Sequence, residues 1–138
     1  MTMIQDLREL TSNILETMFF LMEETEPFQI EFNYKYAVNI KDEFMDIIMM
    51  FGPKTAVQMA ENFMGTDDIS VSDISDTLKE AINIIVGNLI RQNMQQVTTK
   101  VSIPVMIENL ATIKPEEYQT VLLFYNDEPL NLLIKTRQ

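Results

Sequence analysis

Asp76, Glu80, Asn83 and Gly87 are spaced so that, at 100° per residue, they fall within about 60° of arc on one helix. Leu78, Ala81, Ile82, Ile85, Val86 and Leu89 occupy the opposite side. A helix of this kind packs its apolar side on a core and turns a carboxylate and a carboxamide outward. The carboxylate can pair with a cation, and the carboxamide can both donate and accept hydrogen bonds. Gly87 is costly at mid-helix, by about 1 kcal/mol relative to alanine. With only three glycines in the chain, one placed in an outward stripe implies that another surface comes close. The stripe reads as a docking site. Each residue also has a plainer reading: solvation for Glu80, tolerated surface for Asn83, a close helix crossing for Gly87 and a first-turn charge on the helix dipole for Asp76.

The stripe needs a framework to hold it. Between Met3 and Glu24, residues Ile4, Leu7, Leu10, Ile14, Leu15, Met18, Leu21 and Met22 recur at helical spacing and predict a long first helix ended by Pro27. Alternation from Phe28 through Ile30, Phe32, Tyr34, Tyr36 and Val38 to Ile40 predicts a strand with one buried face. Lys41-Asp42-Glu43 reads as a turn and Phe44 to Phe51 as the partner strand, stopped by Gly52-Pro53. A helix from Pro53 to Met64 follows, with proline at its start and Gly65 at its end. An acidic connector, Thr66 to Ser70, leads into the motif helix, expected from Ser70 or Ser72 to about Gln96. Extended segments are expected at Thr99–Ile107, Tyr118–Tyr125 and Leu130–Thr136, with Asn126-Asp127-Glu128-Pro129 as the last turn. This order implies an α+β fold with a mostly antiparallel sheet and long helices packed on it.

Composition narrows the function. A chain of 138 residues, 46% of them hydrophobic, is the size of a single domain spanning 1–138 that buries a core without staples. No apolar run approaches the roughly 18 residues of a membrane span, and the amino terminus lacks the pattern of a secretory signal, so a cytoplasmic location is expected. With neither cysteine nor histidine, thiol chemistry, imidazole bases and thiolate or imidazole metal sites are excluded. A formal charge of −11 argues against nucleic acid and acidic membranes as partners. The eleven methionines suit irregular core gaps, or else an adaptable binding surface.

The segment Ser12-Asn-Ile-Leu-Glu16-Thr-Met-Phe19 can be set beside Asp76-Thr-Leu-Lys-Glu80-Ala-Ile-Asn83, each lying in a helix followed by strands. This suggests a weak internal repeat, about 4–65 and 70–138. In that alignment Phe19 stands where the second copy has Asn83, so only the second copy keeps the polar pair.

Asp76-x3-Glu80-x2-Asn83, followed by Gly87-Asn88 and by Pro104 at the start of a strand, resembles the signature of the CheC/CheX/FliY phosphatases of bacterial chemotaxis. The likeness extends over most of the chain, from the first helix through the strand pair and the proline-started helix to the closing strands. With one complete motif the chain looks most like CheX, because CheC-type members usually carry the pair twice. The resemblance implies a pseudo-duplicated α-β-β arrangement and hydrolysis of the aspartyl phosphate on a CheY-type response regulator. It also implies that Asn83 positions the attacking water, that Glu80 pairs with a lysine of the partner near the phosphate, and that Asp76, Gly87 and Asn88 contact the partner. Magnesium is expected on the regulator, so no cofactor and no metal ligand is assigned to this chain. A homodimer is expected from the family and from exposed sheet edges. Two other readings stand beside it: a non-catalytic interaction module on the same fold, related to flagellar-switch components, and an acidic dimeric adaptor unconnected to phosphorylation.

Overall fold

A computed structural model describes residues 2–93 and 101–136. Helix α1 (Met3–Phe19) is followed by the hairpin β1 (Tyr36–Lys41) and β2 (Met45–Phe51). Helices α2 (Pro53–Met64) and α3 (Val71–Asn93) come next, then the short β3 (Val105–Met106). Two single 3-10 turns lead to the closing hairpin β4 (Gln119–Tyr125) and β5 (Glu128–Thr136). All pairings are antiparallel, in the order β3-β1-β2-β5-β4. The α+β expectation therefore holds.

The sheet has a pseudo-duplicated plan. β2 and β5 pair at its centre, each flanked by its own hairpin partner. Outside β1 lies β3, and outside β4 a single bridge joins Glu24 to Phe124. On one face, Val38, Ile40, Ile47, Met49, Leu132 and Ile134 meet the three helices in the main core. On the other, Ala37, Ile48, Met50 and Leu133 are covered by Ile107, Leu110, Ile113 and Tyr118. Strand alternation produces this division, since successive side chains point to opposite faces.

Local signals set several boundaries where they were expected. α2 begins at Pro53, and Gly65 closes it in the left-handed region at φ 71°. Gly52 precedes the helix without a capping side chain, and the cap comes from across the fold. Glu128 of β5 accepts hydrogen bonds from the Thr55 amide (2.8 Å), the Thr55 hydroxyl (3.0 Å) and the Lys54 amide (3.2 Å). A Cβ on residue 52 would lie 2.5 Å from the Glu128 carboxyl carbon, so glycine is required there for the carboxylate to approach. The last turn tightens to Asn126-Asp127, both at positive φ (54° and 58°), and Glu128 and Pro129 already belong to β5. Pro129 lies outside the span that pairs with β2, so its missing N–H costs that ladder nothing.

Other expectations are corrected. α1 stops at Phe19, not Glu24, because Phe20 turns left-handed at φ 57° and the Leu21 amide reaches back to the Leu15 carbonyl. Beyond that point burial alternates: Leu21 is buried while Phe20 and Met22 are exposed. The strand expected from Phe28 begins only at Tyr36. β2 runs out opposite Tyr36, at Phe51, and among the described residues no strand lies alongside the preceding ones to pair with them. Alternation without a neighbour leaves Phe28 fully exposed and Phe32 mostly so. Of the segment expected at Thr99–Ile107, residues 99–100 lie outside the described residues, and only Val105–Met106 form a strand. α3 is described to Asn93, and the expected end at Gln96 lies outside the described residues.

The cap across the fold gives a stability test. Glu128→Ala is expected to destabilise the protein by about 1–2 kcal/mol, since it leaves the Lys54 and Thr55 amides at the start of α2 without their acceptor, while the Thr55 hydroxyl keeps the Tyr125 carbonyl (3.0 Å). Urea unfolding measures it, and a loss below about 0.3 kcal/mol would mean that water replaces the carboxylate at little cost. Alkaline titration gives a second test. Burial pushes the Tyr34 and Tyr125 hydroxyls up to about 12. Their folded values lie above the unfolded one, so the neutral phenols cost no stability below about pH 10, and stability falls as pH rises from about 10 towards 12. Phenolate absorbance should show Tyr34 and Tyr125 ionising late; ordinary titration of both would contradict their burial.

Candidate functional site

The motif helix starts with a reciprocal cap. The Asp73 amide donates to the Ser70 hydroxyl (3.1 Å), and the Ser70 amide donates to the Asp73 carboxylate (3.0 Å). From there α3 buries Ile74, Thr77, Leu78, Ala81, Ile82, Ile85, Val86 and Leu89. Buried residues of that helix belong to the main core, together with those of α1, α2 and the sheet. This burial fixes the rotation of the helix, and the stripe emerges on the other side. Asp76, Glu80 and Asn83 are exposed, and Gly87 is half-buried.

Asp73, not Asp76, is the acidic residue of the first turn. A dipole role for Asp76 therefore does not apply, because that effect fades beyond the first turn. Asp76, Glu80 and Asn83 make no hydrogen bond or ion pair with any described residue. They are uncommitted polar groups. Together with Lys79 they line one wall of an open groove of about 290 Å³ whose other wall is Ile103 and Pro104. The sequence pointed to Pro104 by its spacing, but Ile103 carried no signal of its own.

Gly87 has open space where a Cβ would be, with no described atom within 4 Å. No packing contact within the described fold requires glycine there, which removes the helix-crossing explanation. Asn88 is placed differently from the rest of the motif, roughly 100° from Gly87 around the helix. Its amide nitrogen donates to the Ile84 carbonyl (2.8 Å), and its carbonyl oxygen accepts from Arg91 (2.8 Å). Both ends of that side chain are occupied, whereas those of Glu80 and Asn83 are not.

Setting Phe19 against Asn83 pairs a fully buried side chain with an exposed one. Buried Leu7, Thr11, Leu15 and Phe19 can be laid on buried Ile74, Leu78, Ile82 and Val86, or on Thr77, Ala81, Ile85 and Leu89, so burial does not fix one register between the two helices.

The chemotaxis phosphatase CheX family model matches residues 37–125. The chain belongs to the CheX family. A search of curated proteins gives no match. Among solved structures, a chemotaxis protein CheX from Desulfovibrio desulfuricans aligns over 98% of this chain and 99% of its own, with a TM-score of 0.71 and 17% identity. A CheX-CheY-BeF3-Mg2+ complex from Borrelia burgdorferi aligns over 99% of each chain, with a TM-score of 0.68 and 15% identity. The FliM middle domain from H. pylori aligns over 95% of this chain and 84% of its own, with a TM-score of 0.56 and 11% identity. At these identities the structural likeness establishes the fold. Among the described residues, no helix is long and apolar enough to cross a membrane.

Open space at Gly87 yields a prediction. Gly87→Ala should leave the fold intact and raise stability by about 0.5–1 kcal/mol, because alanine favours a helix interior and meets nothing here. Urea unfolding decides it; a loss of stability would show that glycine serves the fold itself.

Proposed function

We propose that this CheX-family protein hydrolyses the aspartyl phosphate of a CheY-type response regulator by holding a water in line with the phosphorus. The observation that carries the reading is the pair Glu80 and Asn83, one helical turn apart, exposed, without a partner among the described residues and beside an open groove. Membership of a chemotaxis phosphatase family supports it. So does the likeness to the Borrelia CheX bound to CheY.

The chemistry asks little of the phosphatase. A water oxygen forms a bond to phosphorus, the bond from phosphorus to the aspartyl oxygen breaks, and the water proton ends on inorganic phosphate. The leaving group is a carboxylate, with an ordinary value of about 4, so it departs without a proton from a general acid. Catalysis then consists of positioning, with charge supplied by groups already around the phosphate. Asn83 suits the first task, since its carboxamide can accept a hydrogen bond from the water and donate another. Glu80 suits the second, pairing with a lysine of the regulator and setting the register of the two surfaces. Gly87 lets the regulator approach, and Asp76 extends the contact toward the start of α3. Magnesium belongs to the regulator in this scheme, and the reaction takes place in the cytoplasm. Asn88 belongs to the contact surface only through the backbone it braces, given its two internal hydrogen bonds.

A second reading, an interaction module without turnover, draws on the fold likeness to the FliM middle domain. Two variants separate the readings. Asn83→Ala should lose on the order of 10²-fold in dephosphorylation rate while still binding the beryllofluoride-activated regulator. Glu80→Gln should weaken association, and salt should erase part of the wild-type advantage. Undiminished turnover by Asn83→Ala would reject the catalytic assignment. Weakened binding with normal turnover at saturation would favour the interaction module.

A further inference from the structure

The groove beside the motif has a second wall, and that wall is apolar. Ile103 is 82% exposed, and its neighbours two residues away, Val101 and Val105, are exposed at 37% and 58%. Met106, in contrast, packs against the main core. An isoleucine so exposed on a floppy loop would mean little. This one is held on both sides.

Before it, the Ser102 amide donates to the Lys41 carbonyl (2.8 Å) and the Ser102 hydroxyl accepts from the Lys41 amide (3.0 Å). After it, Val105 and Met106 pair with Asn39 and Val38 of β1, and the Ile107 amide donates to the Ala37 carbonyl (2.9 Å). Pro104 fixes one backbone angle between the two attachments. The side chain of Ile103 is thereby presented at a set position in the groove that also holds Asp76, Glu80 and Asn83.

We propose that Ile103 is a specificity-determining anchor for the phosphorylated receiver, packing on an aliphatic or aromatic side chain that lies beside the receiver's phosphoaspartate; the inference rests on the phosphatase reading above. Physical reasons favour this occupant. The polar side of the groove offers the exposed charges of Asp76 and Glu80, which salt screens, and the exposed carboxamide of Asn83, for which water competes. A preorganised apolar contact at its edge adds affinity that salt does not remove. It also excludes water from the neighbouring polar contacts, as the rim of an interface does around its centre. The rival occupant is a second copy of this chain, because β3 is an edge strand with one side unpaired in the sheet order.

The test is steady-state dephosphorylation of a phosphorylated CheY-type regulator by full-length wild type, Ile103→Ser and Ile103→Leu, with sedimentation of each protein. Ile103→Ser should raise KM about tenfold, well beyond any change in kcat, and Ile103→Leu should restore KM to within about twofold of wild type. Salt should leave the Ile103→Ser defect in place. An unchanged KM in Ile103→Ser, with wild type turning over normally, would overturn the anchor and leave the phosphatase reading standing. A change in sedimentation with unchanged KM would also overturn it, in favour of a contact between copies. If wild type itself shows no turnover, the phosphatase reading falls and the anchor with it.

Discussion

The rotation of α3 about its own axis determines what the molecule can offer a partner. Eight of its side chains, from Ile74 to Leu89, are buried. Fully burying a large aliphatic side chain contributes about 1.5–3 kcal/mol. A turn of 100° would expose several of these and bury Glu80 or Asn83 without partners, which costs far more than either group returns. The same apolar face that stabilises the fold therefore holds the polar stripe outward. Because the helix is clamped along its length, the separation of Glu80 and Asn83 is a property of rigid structure and not of a loop.

The sheet gives this clamp its foundation. Its central β2–β5 pair carries the main core on one face, and the 107–118 segment covers the other. The same sheet places Ile103 and Pro104 beside the motif, since β1 anchors the segment on both sides of them. Glu128 links β5 to the start of α2 through three hydrogen bonds. The groove thus joins parts of the chain far apart in sequence, and each part is held by backbone hydrogen bonding or core burial.

How much of this was legible in the sequence varied with whether the deciding interaction was local. The limits of α2 could be read because Pro53 and Gly65 act on their own backbone angles. The outward stripe could be read because helical periodicity needs only the helix itself. The strand proposed from Phe28 failed for the opposite reason: alternation shows which way side chains would point, but a strand exists only beside a neighbour, and β2 ends opposite Tyr36. The Glu128 cap and the placement of Ile103 are contacts between distant segments and left no local pattern. In the helix alignment, residue types favoured Phe19 opposite Asn83, which sets a buried side chain against an exposed one. Two amphipathic helices of the same period satisfy several shifts, and neither type similarity nor the buried face selects one of them.

Glu80 and Asn83 are exposed at the groove with no partner among the described residues, which is the condition of groups kept for an external surface. The most direct measurement is the decay of the acyl phosphate on a purified, phosphorylated CheY-type regulator from the same organism, followed with and without substoichiometric amounts of this protein. The account predicts that decay accelerates in proportion to the amount added and that each molecule turns over many regulators. Decay at the intrinsic rate, with the two proteins nonetheless associated, would contradict it.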